Sequence, residues 1–323
     1  MRLSRLSQLV MGVLVACVVG LAAFVAAAQE KYPSRPIEFI VPWGPGGGAD
    51  QVARKSGKMM EDDLKVSFPV LNVPGATGNT GMTKLLAAQP DGYSISVMTW
   101  DTYALLATNP ATRWSLKDII PVALMIKQPS AFMTATNSNL KTWADVEKAA
   151  KERPLKVAVT GLNSPDDITV NYFVGRGLKL IAVPFANPGE RYTAVLGNHA
   201  DLLYEQLGDV RSFLDSKQIQ PVIIFADKRY AAFPDVPASK ELGFDITLPQ
   251  RRAVIMKAGT DPAKVKVISD ALAKVAASPE FKAYLHEQYA TDDSYFAAAD
   301  AAKIMEEDLA QMKRYAAETA AKK

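Results

Sequence analysis

Residues Ile37 to Arg54 read IEFIVPWGPGGGADQVAR, an apolar strand-like run that passes through glycines at 44, 46, 47 and 48 straight into a helical pattern. A second turn of the same kind, VPGATGNTG, covers Val73 to Gly81. Glycine tolerates backbone conformations that a Cβ forbids, so amides in such a turn can converge on one point at a helix N-terminus, where orphan N–H groups and the helix dipole favour an anion. Gly46, Gly47 and Gly48 in the first turn, and Ala76, Thr77 and Gly78 in the second, are the candidate donors to a carboxylate or phosphate. The competing reading is that these glycines only shape tight strand-to-helix turns.

Outward from these turns, short apolar runs alternate with amphipathic segments, the pattern of an α/β protein with mainly parallel sheets. Strands are expected over Ile37 to Pro42, Phe68 to Asn72, Tyr93 to Thr99 and Val122 to Lys127, with helices over Asp50 to Leu64 and Asn79 to Ala88. A second run of the same kind has strands at Ala131 to Ala135, Lys156 to Thr160, Leu178 to Val183, Ala200 to Tyr204 and Pro221 to Ala226. Thr142 to Asp145 reads as a capping box that starts a helix. A last strand, Ala253 to Met256, leads to helices over Pro262 to Ala276, Pro279 to Gln288 and roughly Phe296 to Ala320, the last with a Met305, Leu309, Met312, Ala316 stripe facing the core. Ligands of open α/β sheets sit beyond the carboxyl ends of the strands, where both glycine turns fall.

The first residues form a separate unit of meaning. Arg2 and Arg5 precede an apolar stretch from Leu9 to Val25, and Ala26-Ala27-Ala28 is a small-residue cleavage pattern, so residues 1–28 read as an export signal cut after Ala28. Two other readings stay open: an uncleaved membrane anchor, and a lipoprotein acylated at Cys17 within Leu14-Val15-Ala16-Cys17. Cys17 is the single cysteine, so the exported chain carries no disulfide and must rely on its core. Removing Arg2 and Arg5 takes the formal charge from +3 to near +1, too little bias for nucleic acid or a membrane surface.

Catalytic constellations are sparse. The two histidines, His199 and His286, have no cysteine beside them, and no G-x-S-x-G elbow occurs, so a histidine-rich metal site and a Ser-His-Asp triad lack support. The pairs Asp166-Asp167 and Asp292-Asp293 read as helix starts or solvated turns. Gly44-x-Gly46-x-x-Ala49 formally matches a dinucleotide fingerprint, but the second strand ends at Leu71-Asn72-Val73 without the acid that would hold a ribose, and Asp50 stands where pyrophosphate should dock. No cofactor, metal or catalytic residue is assigned.

Taken in order, several motifs resemble the periplasmic solute-binding receptors of tripartite tricarboxylate transporters, the Bug receptors. They are Tyr32-Pro33-Ser34-Arg35-Pro36-Ile37, Gly46-Gly47-x-x-Asp50-x-x-Ala53-Arg54, Pro74-Gly75-Ala76-x-Gly78-Asn79-x-Gly81, Pro90-Asp91-Gly92-Tyr93, Val183-Pro184-Phe185 and Lys228-Arg229 with Pro234-Asp235-Val236-Pro237. The resemblance implies an α/β, bilobed type II periplasmic binding protein fold, with lobe 1 from residues 29–128 and 249–323 and lobe 2 from residues 129–248. It implies that Trp43, Gly44, Pro45, Gly46, Gly47, Gly48 and Asp50, with Gly75, Ala76, Thr77, Gly78 and Asn79, grip one ligand carboxylate, partly through water. Thr99, Trp100 and Asp101, with Thr160, Ser164, Phe185 and Tyr204 of lobe 2, would meet the rest of the ligand.

The chain departs from the family across the cleft. Phe185-Ala186-Asn187-Pro188-Gly189 replaces a Tyr-Lys-Gly-Gly type sequence, and Thr160 to Asp166 replaces a loop richer in serine and glycine. Trp100, Phe185 and Tyr204 are read either as an apolar wall or as core, and Arg251 or Arg252 either as a fork for a second carboxylate or as a surface or inter-lobe pair. The expected function is capture of a small organic carboxylate, a di- or tricarboxylate or an aromatic acid, by a periplasmic monomer that delivers it to membrane permease subunits. An orphan sensor acting on a signalling partner and an envelope enzyme are the rival classes. Valine at Gly47 or Gly78 is expected to abolish ligand stabilisation while sparing the fold.

Overall fold

The computed structural model describes residues 31–320, so the export signal, its cleavage after Ala28 and Cys17 lie outside the described residues. From Arg35 onward the chain forms one compact unit. Its strands are β1 (Glu38–Val41), β2 (Val70–Asn72), β3 (Ser94–Thr99), β4 (Ile119–Gln128), β5 (Ser130–Ala135), β6 (Leu155–Val159), β7 (Leu180–Pro184), β8 (Leu202–Gln206), β9 (Ile219–Ile224), β10 (Gln250–Lys257) and β11 (Phe296–Ala297).

They form a six-stranded sheet in the order β11-β4-β10-β3-β1-β2 and a five-stranded sheet in the order β7-β6-β8-β5-β9. In the first, β1 is parallel to β2 and β3, while β10 is inserted antiparallel between β3 and β4. In the second, β6 is parallel to β7 and β8, while β5 is inserted antiparallel between β8 and β9. Apart from the short edge strand β11, both sheets therefore share one plan, with a single reversed strand in each. The chain leaves the first sheet through Pro129 and returns through Pro249, so two prolines with fixed φ sit at the crossings.

The central strands are buried on both faces, which explains their near-continuous apolar sequences: Phe39, Ile40 and Val41 of β1 and Val157, Ala158 and Val159 of β6 have no exposed surface. Helix α1 (Gly48–Leu64) begins directly after the first glycine turn, and its buried Ala49, Val52, Ala53, Ser56 and Met60 recur at helical spacing. It ends where Lys65 takes the left-handed conformation, with φ 59°. Helices α2 (Asn79–Ala87), α3 (Trp100–Tyr103) and α4 (Leu105–Thr108) follow β2 and β3.

On the second sheet, α5 (Trp143–Glu152) carries the expected capping box: Thr142 Oγ1 accepts the Asp145 amide at 3.2 Å, and the Asp145 carboxylate accepts the Thr142 amide at 2.9 Å. Next come α6 (Pro165–Val174), α7 (Pro188–Leu196) and α8 (Arg211–Asp215), then α9 (Pro262–Ala277), α10 (Pro279–Glu287) and α11 (Ala298–Ala320) back on the first sheet. Helices α6 and α7 start at prolines, which suit a first helical turn because no intrahelical N–H is needed there. Asp166 is a helix-start residue as read, but it is 1% exposed rather than solvated. The stripe of α11 runs Ala301, Met305, Leu309, Met312 and Tyr315, with Tyr315 taking the buried place expected for Ala316. That helix packs on β4 and also on α6, so it bridges the two sheets.

Candidate functional site

The first glycine turn is braced by its own helix. Gly46 adopts φ 84°, and its amide donates to Asp50 Oδ2 at 3.0 Å. Asp50 also accepts from Arg54 Nε at 2.9 Å and Asn72 Nδ2 at 3.0 Å, and Asn72 reaches back to the Trp43 carbonyl at 3.0 Å. Burial opposes the charge on Asp50, yet the bonds from Arg54, the Gly46 amide and Asn72 hold its carboxyl below the usual range. Asp50 is thus a strut that ties the turn to α1 and the end of β2, and it takes the Gly46 amide away from any guest. Gly47 and Gly48 keep the orphan amides of a helix start, with no side chain capping them.

The second turn is strained. Gly75, Ala76, Thr77 and Gly78 all have positive φ, at 130°, 49°, 53° and 81°. For Ala76 and Thr77 the left-handed conformation costs about 1–2 kcal/mol each, and such strain clusters at ligand clamps. Thr77 Oγ1 donates to the Leu162 carbonyl at 3.0 Å, and Thr108 Oγ1 donates to the Asn163 carbonyl at 2.8 Å, so this turn and α4 dock on the loop after β6. Asn79 has a structural partner, accepting from Trp114 Nε1 at 2.8 Å. The two turns approach each other closely, since a Cβ at Gly81 would lie 2.6 Å from Pro42 Cα.

At the end of β3, Thr99 caps α3 and accepts from Trp43 Nε1 at 2.9 Å. Trp100 turns the other way: its indole donates to Asp308 of α11 at 2.8 Å and its ring centroid lies 5.1 Å from that of Tyr103. Tyr204 is equally buried, 5.8 Å from Phe132 and 5.6 Å from Phe225 between ring centroids. Phe185 packs half-buried on the core of the second sheet. Trp100 and Tyr204 are thus buried in the core, whereas Phe185 packs at its edge. Ser164 caps α6 and donates to the Gly161 carbonyl at 2.6 Å, while the Thr160 amide donates to Asp166 at 2.7 Å.

Between the two sheets these elements line a small, partly open cavity of about 30 Å³. Its first-sheet wall is Trp43, Gly47, Gly48, Thr99, Asp101 and Arg252. Its second-sheet wall is Thr160, Pro188, Arg191, Glu205, Gln206 and Asp209. The walls touch: a Cβ at Gly47 would lie 2.7 Å from Pro188 Cγ, one at Gly44 would lie 2.7 Å from Asn187 Oδ1, and one at Gly48 would collide with the Asp209 carboxylate and the Arg252 guanidinium. The two walls of the cleft are thus in contact along the first glycine turn.

The charged wall was largely invisible in the sequence. Arg191 and Glu205 form a pair with both side chains about 95% or more buried. Arg252 pairs with Asp209 across the sheets and also donates to Gln128 and, at 3.2 Å, to Gln206. Of the two arginines weighed at the return crossing, Arg252 is thus an inter-sheet pair and Arg251 pairs with Asp308 at 2.9 Å. One signal pointed to this wall: Glu205 and Gln206 end a strand, on the edge where α/β sheets gather ligands.

Burial pushes the Asp209 carboxyl up to about 6, with Glu205 adding to the shift and Arg252 opposing it. A raised carboxyl contributes stability that is present below its unfolded value near 3.8 and is lost as pH rises through about 6. Urea unfolding is therefore expected to show a fall in stability as pH rises from about 4 to about 6 that is smaller in Asp209→Asn than in the wild type, the remainder coming from the other raised carboxyls, Asp101, Asp166 and Asp308. Parallel pH profiles would show that Asp209 ionises normally.

Comparison with known proteins adds the family context. Residues 52–320 match the family described as "Tripartite tricarboxylate transporter family receptor". The chain is 29% identical over 269 residues to protein BugT of Bordetella pertussis, covering 81% of each. Among solved structures it is similar to MatC of Rhodopseudomonas palustris with bound malate, at 21% identity and TM-score 0.81, covering 88% of this chain and 100% of that one. It is also similar to an R. palustris protein with adipate, at 20% identity and TM-score 0.84, covering 90% and 99%. These likenesses show the periplasmic binding protein fold.

Proposed function

This chain belongs to the tripartite tricarboxylate transporter receptor family, and we propose that it captures a small organic carboxylate between its two sheets and delivers it to membrane permease subunits. The family is one of receptors rather than enzymes, so the solute leaves chemically unchanged. The observation that carries the reading is the first glycine turn, which brings the orphan amides of Gly47 and Gly48 to the cleft, while the strained Ala76 and Thr77 turn docks on the loop after β6. Neutral backbone donors at a helix start suit a carboxylate common to many solutes. The malate and adipate of the similar structures are carboxylates of this class.

In this reading the six-stranded sheet with its helices is lobe 1, the five-stranded sheet is lobe 2, and the crossings at Pro129 and Pro249 are the hinge. The site is periplasmic, reached after export of the chain. Solute that bridges both walls shifts an open form toward the closed one.

A thermal-shift screen of mono-, di- and aromatic carboxylic acids tests this directly. A bound acid at a hundred times its dissociation constant adds about 2.7 kcal/mol of stability. Absence of any shift, together with mass spectrometry that finds no acid in the purified protein, would sink the proposal.

A further inference from the structure

Asp101 stands at the start of α3 in the cavity wall and is 4% exposed. Its Oδ2 accepts from Gln250 Nε2, and the Gln250 Oε1 accepts the Trp100 amide at 2.8 Å, so the orientation of the Gln250 amide is set by the backbone. Its Oδ1 is buried and has no partner. A buried carboxylate oxygen left unpaired is costly, and such groups occur where something else completes them.

The neighbouring charges do not complete it. Arg191 is engaged by Glu205 and by the Phe185 carbonyl at 3.1 Å, and Arg252 by Asp209, Gln128 and Gln206. Each guanidinium thus balances one carboxylate, and Asp101 is left over. Asp166, also buried and with an unpartnered Oδ1, supplies no counter-charge either, since burial and the nearby Asp101 push its carboxyl well up. A solute with a second carboxylate would add like charge to this wall, whereas an ammonium would bring the counter-charge and the N–H donors that Oδ1 lacks.

We propose, resting on the carboxylate-receptor reading above, that the solute of this chain carries a cationic amino group besides its carboxylate, and that Asp101 Oδ1 accepts from that group. The carboxylate end is held by the glycine turns and the amino end by Asp101. Burial and the charge of Glu205 both raise the Asp101 carboxyl, and an arriving cation opposes that shift.

The test compares matched solutes that differ only by exchange of one carboxylate for an ammonium: succinate with β-alanine, glutarate with γ-aminobutyrate, and adipate with δ-aminovalerate. Melting shifts and calorimetric affinities are measured for the wild type and for Asp101→Asn, which keeps an acceptor for Gln250 and removes the charge. The expected result is a preference for the amino member of at least one pair by about tenfold or more in the wild type, lost in Asp101→Asn. Diacids that bind as well as or better than their amino partners overturn the inference and leave the carboxylate-receptor reading standing. No binding by either set, while other carboxylic acids shift the melt, also overturns it. No shift by any acid overturns both. The wild-type comparison decides these outcomes even should the variant fail to fold.

Discussion

Replacing Arg252 with methionine is expected to lower the unfolding free energy by about 3–5 kcal/mol at neutral pH, the size typical of removing one partner of a buried ion pair. Arg252 is 3% exposed, and its loss leaves Asp209 buried without its cation and removes the donor to Gln128 and Gln206. Asp209 can escape the penalty only by taking a proton, which its upward shift to about 6 already favours. The deficit of the variant should therefore shrink as pH falls toward about 6, where the wild-type carboxyl takes its proton too, a higher pH window than loss of an ordinary surface pair would give. Adding Asp209→Leu should recover most of the lost stability, because both charges are then gone. A double variant as unstable as Arg252→Met alone would show that the cost lies in packing around β10 rather than in the stranded carboxylate.

The second large effect concerns closure. Gly47 has φ −79° and ψ 170°, a conformation open to any residue, yet a Cβ there would lie 2.7 Å from Pro188 Cγ on the opposite wall. Gly47→Val is expected to leave the ligand-free fold near wild-type stability and to weaken binding of a carboxylate solute by roughly fivefold to more than a hundredfold, equivalent to about 1–3 kcal/mol of overpacking. Pro188→Ala in the same chain should restore part of the affinity. Gly78 differs: its φ is 81°, and a Cβ would strike Thr102 of α3, which follows β3 of the same sheet, so Gly78→Val is expected to destabilise the ligand-free protein as well. The expectation that both valine variants spare the fold therefore holds only for Gly47. Equal loss of ligand-free stability in the two would contradict the assignment of Gly47 to the closing surface.

Much of the architecture was legible because it is written in local patterns. β1 with its glycine turn and α1, the Thr142 capping box, and the helical stripe over Met305, Leu309 and Met312 all follow from periodicity and turn chemistry within a few residues. The start of α7 is not marked in the sequence because it opens on a proline after a short loop, with little apolar period to show it. The role of Asp50 was misplaced for a different reason. Its carboxylate is close in sequence to the turn, but whether it faces a guest or folds back on Gly46 depends on Asn72, which arrives on another strand.

By itself the sequence determined the α/β class, the position of both glycine turns at strand ends, and the family to which the chain belongs, since each rests on residue types in a fixed order along the chain. Tertiary structure alone decided what the turns face. Arg191 meets Glu205 across 14 positions, Arg252 meets Asp209 across 43, and Asp101 meets Gln250 across 149. Such partners are brought together by packing between elements, across the two sheets in the case of Arg252 and Asp209, and their charges acquire large effects only once burial removes the water that would screen them.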